Sequence, residues 1–339
     1  MDVTGRMAAA SVSLAALALL AGAAVAQDKL DCAAGTHLFE HALLVSPVCV
    51  PDDPRRVAFL DDTVLSGIEL GLPSITRSHY SNIIVADFPG LAARLDPATT
   101  TDIGNTWEMN GEVLLNAQPD LVVTLKYWDA AIPLAQAVAP TLVIDDERAT
   151  DWRDVPRMLA TVFHKEAEQA KLEAGVDERV AAFKAGLDAA GGSKTFTFTQ
   201  VESGTSLWSF TTEAFGPEFA VGAGMSLGKG IPTPEEAAKL PDGSTVAFPV
   251  SQENLGTIDA DHIFLYANMG SDAEAMLKDN AVFQRFMAER PGQVHFLKGE
   301  YWFRAGAISA HRVLDDLFTD VLGQDPATVS PNPWASAYQ

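Results

Sequence analysis

Short runs of consecutive apolar residues along this chain alternate with stretches in which apolar positions recur every three or four residues. Runs at 56–60, 73–75, 99–103, 120–125 and 141–144 have the length and composition of buried strands. Between the first two, 61–70 places Val64, Leu65, Ile68 and Leu70 at helical spacing and stops at Gly71. Such alternation predicts a parallel sheet covered by helices on both faces. Two helical stretches follow. The first, 151–163, carries Val155, Met158, Leu159, Val162 and Phe163 on one face; the second, 165–190, is highly charged and free of proline until Gly191-Gly192 ends it. At about 1.5 Å per residue the second helix would reach about 40 Å, a stiff strut rather than a flexible linker. The alternation then restarts, with strands at 194–200, 245–248, 262–267 and 294–297 and helices at 215–224, 281–288 and 307–322. The final stretch, 330–339, holds two prolines and reads as a loose tail. The pattern predicts an α/β chain of two lobes joined by one long α-helix.

A short motif occurs once in each predicted lobe. When 112–123 is laid over 253–264, the glutamate coincides (Glu112, Glu253), as do the leucine two places on (Leu114, Leu255) and an apolar residue five places on (Ala117, Ile258). The aspartate eight places on matches as well (Asp120, Asp261), and each copy runs into β-branched and apolar residues. Self-similarity at close to half the chain length supports two lobes of similar design over one continuous core.

The N-terminus and the charge narrow the setting. Arg6 precedes an apolar run, 8–24, and Ala24-Val25-Ala26 gives the small-x-small pattern cleaved before Gln27, so 1–26 reads as a secretory signal peptide. The run falls short of the roughly 20 apolar residues a membrane span needs and meets Asp28, Lys29 and Asp31 at once. No cysteine abuts the cleavage point, so a soluble, exported chain without a lipid anchor is expected. Cys32 and Cys49, the only cysteines, lie within the segment 27–53 and are expected to pair in an oxidising compartment. Closing that loop contributes about 3 kcal/mol. The formal net charge of −22 argues against nucleic acid and anionic lipid surfaces as partners and favours solubility.

The candidate chemistry is mostly that of binding. His37-Leu38-Phe39-Glu40-His41 does match the H-x-x-E-H zinc-peptidase pattern, in which two histidines four apart on a helix share a metal. A secreted zinc hydrolase using His37 and His41 is therefore the competing reading, although the motif occupies a small disulfide-closed segment. There is no G-x-S-x-G, no phosphate loop and no dinucleotide fingerprint. His79, His164, His262, His295 and His311 are scattered one per element, whereas metal capture needs several at one point. Aromatic and basic residues instead gather where strands end, in Arg77-Ser78-His79-Tyr80, Asn105-Thr106-Trp107, Lys126-Tyr127-Trp128, Leu207-Trp208-Ser209-Phe210 and Tyr301-Trp302-Phe303-Arg304. In open α/β layers ligands sit outside the carboxyl ends of strands. An aromatic lining with a few cations suits a large, flat, partly apolar anion. Glu112 and Glu253 are each expected to start a short helix. Equivalent acids on two lobes can grip arginines of a two-fold partner at two points at once.

The chain resembles, over about 51–322, the substrate-binding proteins of iron-siderophore and cobalamin ABC importers. The resemblance rests on Pro54-Arg55-Arg56-Val57, Asp102-Ile103-Gly104, Asn110-Gly111-Glu112 with Pro119-Asp120-Leu121-Val122, Ser251-Gln252-Glu253-Asn254-Leu255 with Asp259-Ala260-Asp261, and Trp302. It implies two Rossmann-like lobes, each a mainly parallel sheet flanked by helices, at 54–163 and 192–329, with a connecting helix at 164–191. It further implies a monomeric periplasmic receptor that holds a ferric siderophore between the lobes, catalyses nothing and needs no cofactor of its own. Such a receptor docks on the permease dimer of an ABC importer at the inner membrane. Cobalamin or haem is the alternative cargo within this class; haem would ask for an axial ligand of the kind that Tyr80, Tyr127, Tyr301 or His79 offers. The family's docking glutamates correspond to Glu112 and Glu253, with Met109-Asn110 standing where the family has Pro-Asn. By position, Arg77, Tyr80, Trp107, Lys126, Tyr127, Trp128, Trp208, Tyr301, Trp302 and Arg304 are expected to face the ligand.

Overall fold

The computed structural model describes residues 31–268 and 271–338; the leader expected at 1–26 and its cleavage point lie outside the described residues. Cys32 and Cys49 are joined by a disulfide beside the antiparallel strands β1 (Thr36–Phe39) and β2 (Val48–Pro51). The turn between these strands reaches the edge of the first parallel sheet. Leu44 bridges Ile144, and the Asp145 N–H donates to the Leu43 carbonyl at 2.7 Å. The stapled hairpin thus covers an edge that would otherwise present unpaired backbone groups.

Four apolar runs of the first lobe contain β3 (Val57–Phe59), β5 (Thr101–Asp102), β6 (Leu121–Leu125) and β7 (Thr141–Ile144); the run at 73–75 gives only a bridge at Ser74, and β4 (Thr76–Arg77) follows it. The order β3-β6-β7 and the pair β4-β5 are parallel throughout, and a parallel bridge from Val57 to Ser74 links the two groups. The crossovers are α1 (Thr63–Glu69), α2 (His79–Asp87), α3 (Gly111–Ala117) and α4 (Ile132–Val138). After α5 (Asp154–Val162) comes α6 (Glu166–Ala189), the expected strut. Its 24 residues span about 36 Å, and Gly191 and Gly192, both at positive φ, end it.

The second lobe is built on one sheet of β8 (Thr195–Val201), β9 (Ser206–Phe210), β10 (Ser226–Leu227), β11 (Ala247–Ser251), β12 (His262–Tyr266) and β13 (Val294–Phe296). The order is β11-β9-β8-β12-β13, with β10 also on β8. Its helices are α7 (Phe215–Gly222), α8 (Pro234–Ala237), α9 (Ala273–Leu277), α10 (Ala281–Ala288), α11 (Ala307–Asp316) and α12 (Pro326–Val329). One stretch departs from the sequence reading. Leu207-Trp208-Ser209-Phe210, expected as a strand-end loop, is β9, antiparallel to both β8 and β11. The turn at Ser203-Gly204-Thr205 folds it back as a hairpin, and its large residues then pair across the sheet.

The repeated motif has the same structural consequence in both lobes. Asp120 opens β6, and its carboxylate accepts the backbone N–H of Arg55 (2.8 Å) and Arg56 (3.0 Å) at the entry to β3, the parallel partner. Asp261 precedes β12, and its carboxylate accepts the N–H and hydroxyl of Thr195, both at 2.9 Å, at the entry to β8. Each aspartate therefore staples the amino ends of the two central strands of its lobe. The hydrogen bonds from Thr195 hold the Asp261 carboxyl below its usual range. The glutamate ends differ more. Glu112 lies in the first turn of α3, while Glu253 lies in a 3-10 turn, Gln252–Thr257. Gly256 and Thr257, poor helix formers, stand where the first copy has Leu115 and Asn116.

Two further contacts tie the lobes. Glu69, buried at the end of α1, accepts the Ile308 N–H at 2.7 Å in the first turn of α11. The terminal residues, read from sequence as a loose tail, are packed. Tyr338 donates to the Ile308 carbonyl at 3.1 Å and lies 5.7 Å from the Phe88 ring, and Ser330 accepts from the Arg179 Nε. A Cβ on Gly90 would meet the Ser336 carbonyl oxygen at 2.1 Å, so the tail backbone rests directly on the first lobe. Pro331 and Pro333 precede a short 3-10 turn, Ala335–Tyr338, and Trp334, Ala337 and Tyr338 bury apolar surface.

Because the two aspartates act alike, Asp120→Ala and Asp261→Ala are each expected to lower unfolding free energy by roughly 1–2 kcal/mol. Urea denaturation would check this; a loss in one variant only would break the equivalence of the motifs. A second expectation concerns pH. Burial pushes the Glu69 carboxyl from 4.5 up to about 7. Its folded pKa is raised, so its contribution is complete below the unfolded value and is lost as pH rises through about 7. Thermal unfolding between pH 4.5 and 8 should show the wild type losing stability relative to Glu69→Gln, by about 3 kcal/mol at most. Parallel curves for the two proteins would count against the buried carboxyl.

Candidate functional site

The carboxyl edge of the first sheet is organised by a buried acid. Asp61 follows β3, and one of its oxygens accepts the N–H (3.0 Å) and hydroxyl (2.6 Å) of Thr63. The other accepts the Thr124 hydroxyl (3.0 Å) and the Leu125 N–H (2.7 Å) at the end of β6. Burial pushes this carboxyl up despite those four bonds. The Thr106 hydroxyl donates to the Leu60 carbonyl, which anchors the loop after β5 to the same point. In that loop Thr106–Glu108 is a 3-10 turn, capped by the Asn105 side chain, which accepts the Trp107 N–H at 3.1 Å.

These anchors bring four of the expected aromatics together. Trp128 is buried, and Trp107 packs edge-on against it with ring centres 4.6 Å apart. Tyr127 meets both rings, at 5.2 Å from Trp107 and 5.1 Å from Trp128, and Tyr80 meets Trp128 at 5.1 Å. Trp107 and Tyr127 stay 49% and 63% exposed, so the outer part of the cluster is a shelf open to solvent. Tyr80 lies in the first turn of α2 rather than in a loop. Burial raises its phenol pKa to about 12, so it remains a neutral donor.

The expected cations sit among acids. Arg77 pairs with Asp102 at 2.5 Å. Lys126 lies 3.3 Å from both Asp145 and Glu147, and its hydrogen bond to Asp145 is the main cause of its raised pKa. Arg148 adds a 2.9 Å contact to Asp145. Arg304 is 3% exposed and spans the lobes: it meets Asp62 at 2.6 Å and Asp87 at 3.7 Å from the first lobe, and Glu300 at 2.8 Å from its own loop. Burial pushes the carboxyls of Asp62 and Asp87 to about 6. The Arg304 guanidinium also lies 5.9 Å from the Tyr80 ring, which joins the aromatic shelf to the interlobe ion cluster.

The remaining expected residues are placed differently. Trp208 points its Nε1 at Glu202 (3.2 Å) near the carboxyl edge of β8. Tyr301 and Trp302 are buried core residues and present no surface to a ligand. Trp302 stacks on Phe198 and Phe264 at 5.4 and 4.7 Å and donates to Asp316 at 2.8 Å. The aromatic that the 301–304 loop does expose is Phe303, 44% accessible and 5.7 Å from Phe210. Sequence reasoning also passed over Asp61, Asp62 and Asp145; the signal available was an acid directly after the apolar runs at 56–60 and 141–144.

Glu112 and Glu253 are both exposed. Glu112 follows Asn110, whose side chain caps α3 by accepting the Glu112 N–H. Glu253 follows β11, which runs parallel to β8 through their shared antiparallel neighbour β9. Each acid therefore stands where the parallel strands of its own sheet finish; in the first lobe that edge carries the aromatic shelf.

His37 and His41 do not form a zinc site. His37 lies on β1, where extended backbone separates residues four apart by about 13 Å instead of stacking them on one helix face. Its Nδ1 is bound to Asp52 at 2.9 Å, and the His41 Nδ1 accepts the Leu43 N–H. Among the described residues, no group of three or more His, Cys, Asp or Glu side chains is placed to hold a metal ion, and no helix is long and apolar enough to cross a membrane.

Solved structures share this architecture at low sequence identity. SirA of Staphylococcus aureus, complexed with staphyloferrin B, superposes with a TM-score of 0.67 at 20% identity, covering 84% of this chain and 98% of that one. The FhuD-fold periplasmic binding protein of a Fep/Fec-like ferrichrome ABC transporter from Bacillus subtilis gives 0.65 at 18%, covering 80% and 96%. FhuD of Vibrio cholerae, bound to Fe3+-Desferal, gives 0.62 at 19%, covering 79% and 98%. They share the two-lobe α/β fold, and they are binding proteins rather than enzymes. The family described as Periplasmic binding protein matches residues 85–301, more than half of the chain. The chain belongs to the periplasmic binding protein family.

Proposed function

We propose that this chain is the periplasmic receptor of an ABC importer, that it binds a ferric siderophore between its lobes, and that it delivers the complex to the permease. The observation that carries this reading is the shelf of Trp107, Tyr127 and Trp128, backed by Tyr80, at the carboxyl ends of parallel strands in a member of this family. Open α/β sheets take their ligands at that edge, and exposed aromatic faces bury large chelates with little loss of side-chain entropy. Fold relatives complexed with staphyloferrin B and with Fe3+-Desferal support the class of cargo. The lobes would comprise 54–163 and 192–329, with the helix at 164–191 holding their spacing. A helix without a hinge favours small closure on binding, which suits a preformed shelf.

Delivery rests on Glu112 and Glu253. Both are exposed, one in each lobe. Two acids held at fixed spacing by a monomeric receptor can engage arginines on the two halves of a permease dimer at once, and such paired contacts reinforce one another.

Titration with ferric chelates, followed by tryptophan fluorescence, should give saturable quenching, and Trp107→Ala should weaken it about tenfold. Absence of quenching by any ferric chelate would sink the reading. Charge reversal at both positions, Glu112→Lys with Glu253→Lys, should abolish uptake in cells while the purified protein keeps its affinity. Weakened ligand binding in that double variant would show that the acids belong to the ligand site instead.

A further inference from the structure

We infer that the cargo carries zero or positive net charge, which among ferric chelates selects tris-hydroxamate complexes over tris-catecholate ones. The inference rests on the receptor reading above and concerns only the chemical class of the ligand. Three hydroxamates each lose one proton and neutralise ferric iron; three catecholates each lose two and leave a trianion. A trianion needs cations whose donors are free to meet it.

The basic groups at this site are already engaged. Arg77 holds Asp102, Lys126 lies between Asp145 and Glu147, and Arg148 shares Asp145. Arg304 is enclosed by Asp62, Asp87 and Glu300. On the edge of the second sheet, Lys298 pairs with Asp272 at 2.8 Å and Glu274 at 3.9 Å. Turning these cations toward a ligand would leave Asp145, with a side chain only 5% exposed, without its partners, and stranding a buried charge is costly. The surplus is acidic as well. Asp61 is satisfied by hydroxyls and amides rather than a cation, and Asp146 is exposed directly after Asp145. What these edges offer freely is aromatic: Trp107 and Tyr127 in the first lobe and Phe303 in the loop after β13 are large exposed rings. Aromatic faces attract cations and tolerate neutral surfaces, while their negative quadrupole repels anions.

The experiment is a fluorescence titration of the mature protein with three ferric chelates of similar size: a neutral tris-hydroxamate, the same type bearing a free ammonium, and a trianionic tris-catecholate. Both hydroxamates should bind at least about tenfold more tightly than the catecholate at low salt. Added salt should weaken only the cationic complex and strengthen the trianionic one. Glu147→Lys reverses an exposed charge without touching the core and should raise the affinity of the trianion several-fold, leaving the neutral chelate unchanged. A catecholate that binds as tightly as the hydroxamates, or one indifferent to Glu147→Lys, would overturn this inference and leave the receptor reading intact. Failure of all three chelates to bind would overturn both.

Discussion

The relation between the lobes depends on one buried guanidinium. Arg304 comes from the loop after β13, yet two of its carboxylate partners, Asp62 and Asp87, belong to the first lobe. A charge this deeply buried needs carboxylates around it, and two of the three here come from the first lobe, which favours one relative position of the lobes. The backbone supports the same geometry: the Glu300 N–H donates to Asp87 at 3.0 Å, and Glu69 caps the start of α11. Together with α6 and the packed C-terminal segment, these contacts make the separation of the lobes a property of the fold. A ligand site between lobes held this way would be largely formed before any ligand arrives, which would lower the ordering cost of binding.

Within each lobe the repeated motif does two jobs at opposite edges of a sheet. Its aspartate fastens the amino ends of the central parallel strands, Asp120 to the entry of β3 and Asp261 to the entry of β8. Its glutamate projects from the other edge into solvent. Leu114 and Leu255, both buried, fix the segment between them to the core. A short crossover thus sets strand register and surface charge with the same few residues, which explains why the similarity is confined to so few positions.

The alternation of apolar runs made most of the fold legible, because buried parallel strands and their covering helices leave strong periodic signals. The strut was legible for the same reason, and so was the disulfide, since only two cysteines exist. What escaped was decided by tertiary contacts. Leu207-Trp208-Ser209-Phe210 looks the same as a loop or a strand until the Ser203-Gly204-Thr205 turn pairs it with β8. Tyr301-Trp302-Phe303-Arg304 reads as an aromatic rim, but the chain direction there buries Tyr301, Trp302 and Arg304 and leaves only Phe303 outside. Prolines near the terminus hid a packed segment, because proline forbids helix and not burial. At the site itself, residue types were readable on the first-lobe loops, where Trp107, Lys126, Tyr127 and Trp128 follow their strands directly. Which carboxylate each cation would meet was not.

That last gap changes the chemistry expected of the site. Cations counted along a sequence suggest a pocket for an anion; the same cations, each holding a carboxylate, suggest a surface neutral at best. The docking acids press in the same direction. Glu112 is exposed at the start of α3 in the lobe that carries the aromatic shelf, and Glu253 is exposed in the other lobe, on a chain of net charge −22. Under the proposed delivery role these acids would stay exposed, and a strongly anionic chelate would be repelled by such a surface, a repulsion that salt screens only in part at separations under about 10 Å. Under the receptor reading, recognition through aromatic faces would remove the conflict, since acids could then serve a membrane partner while rings serve the cargo.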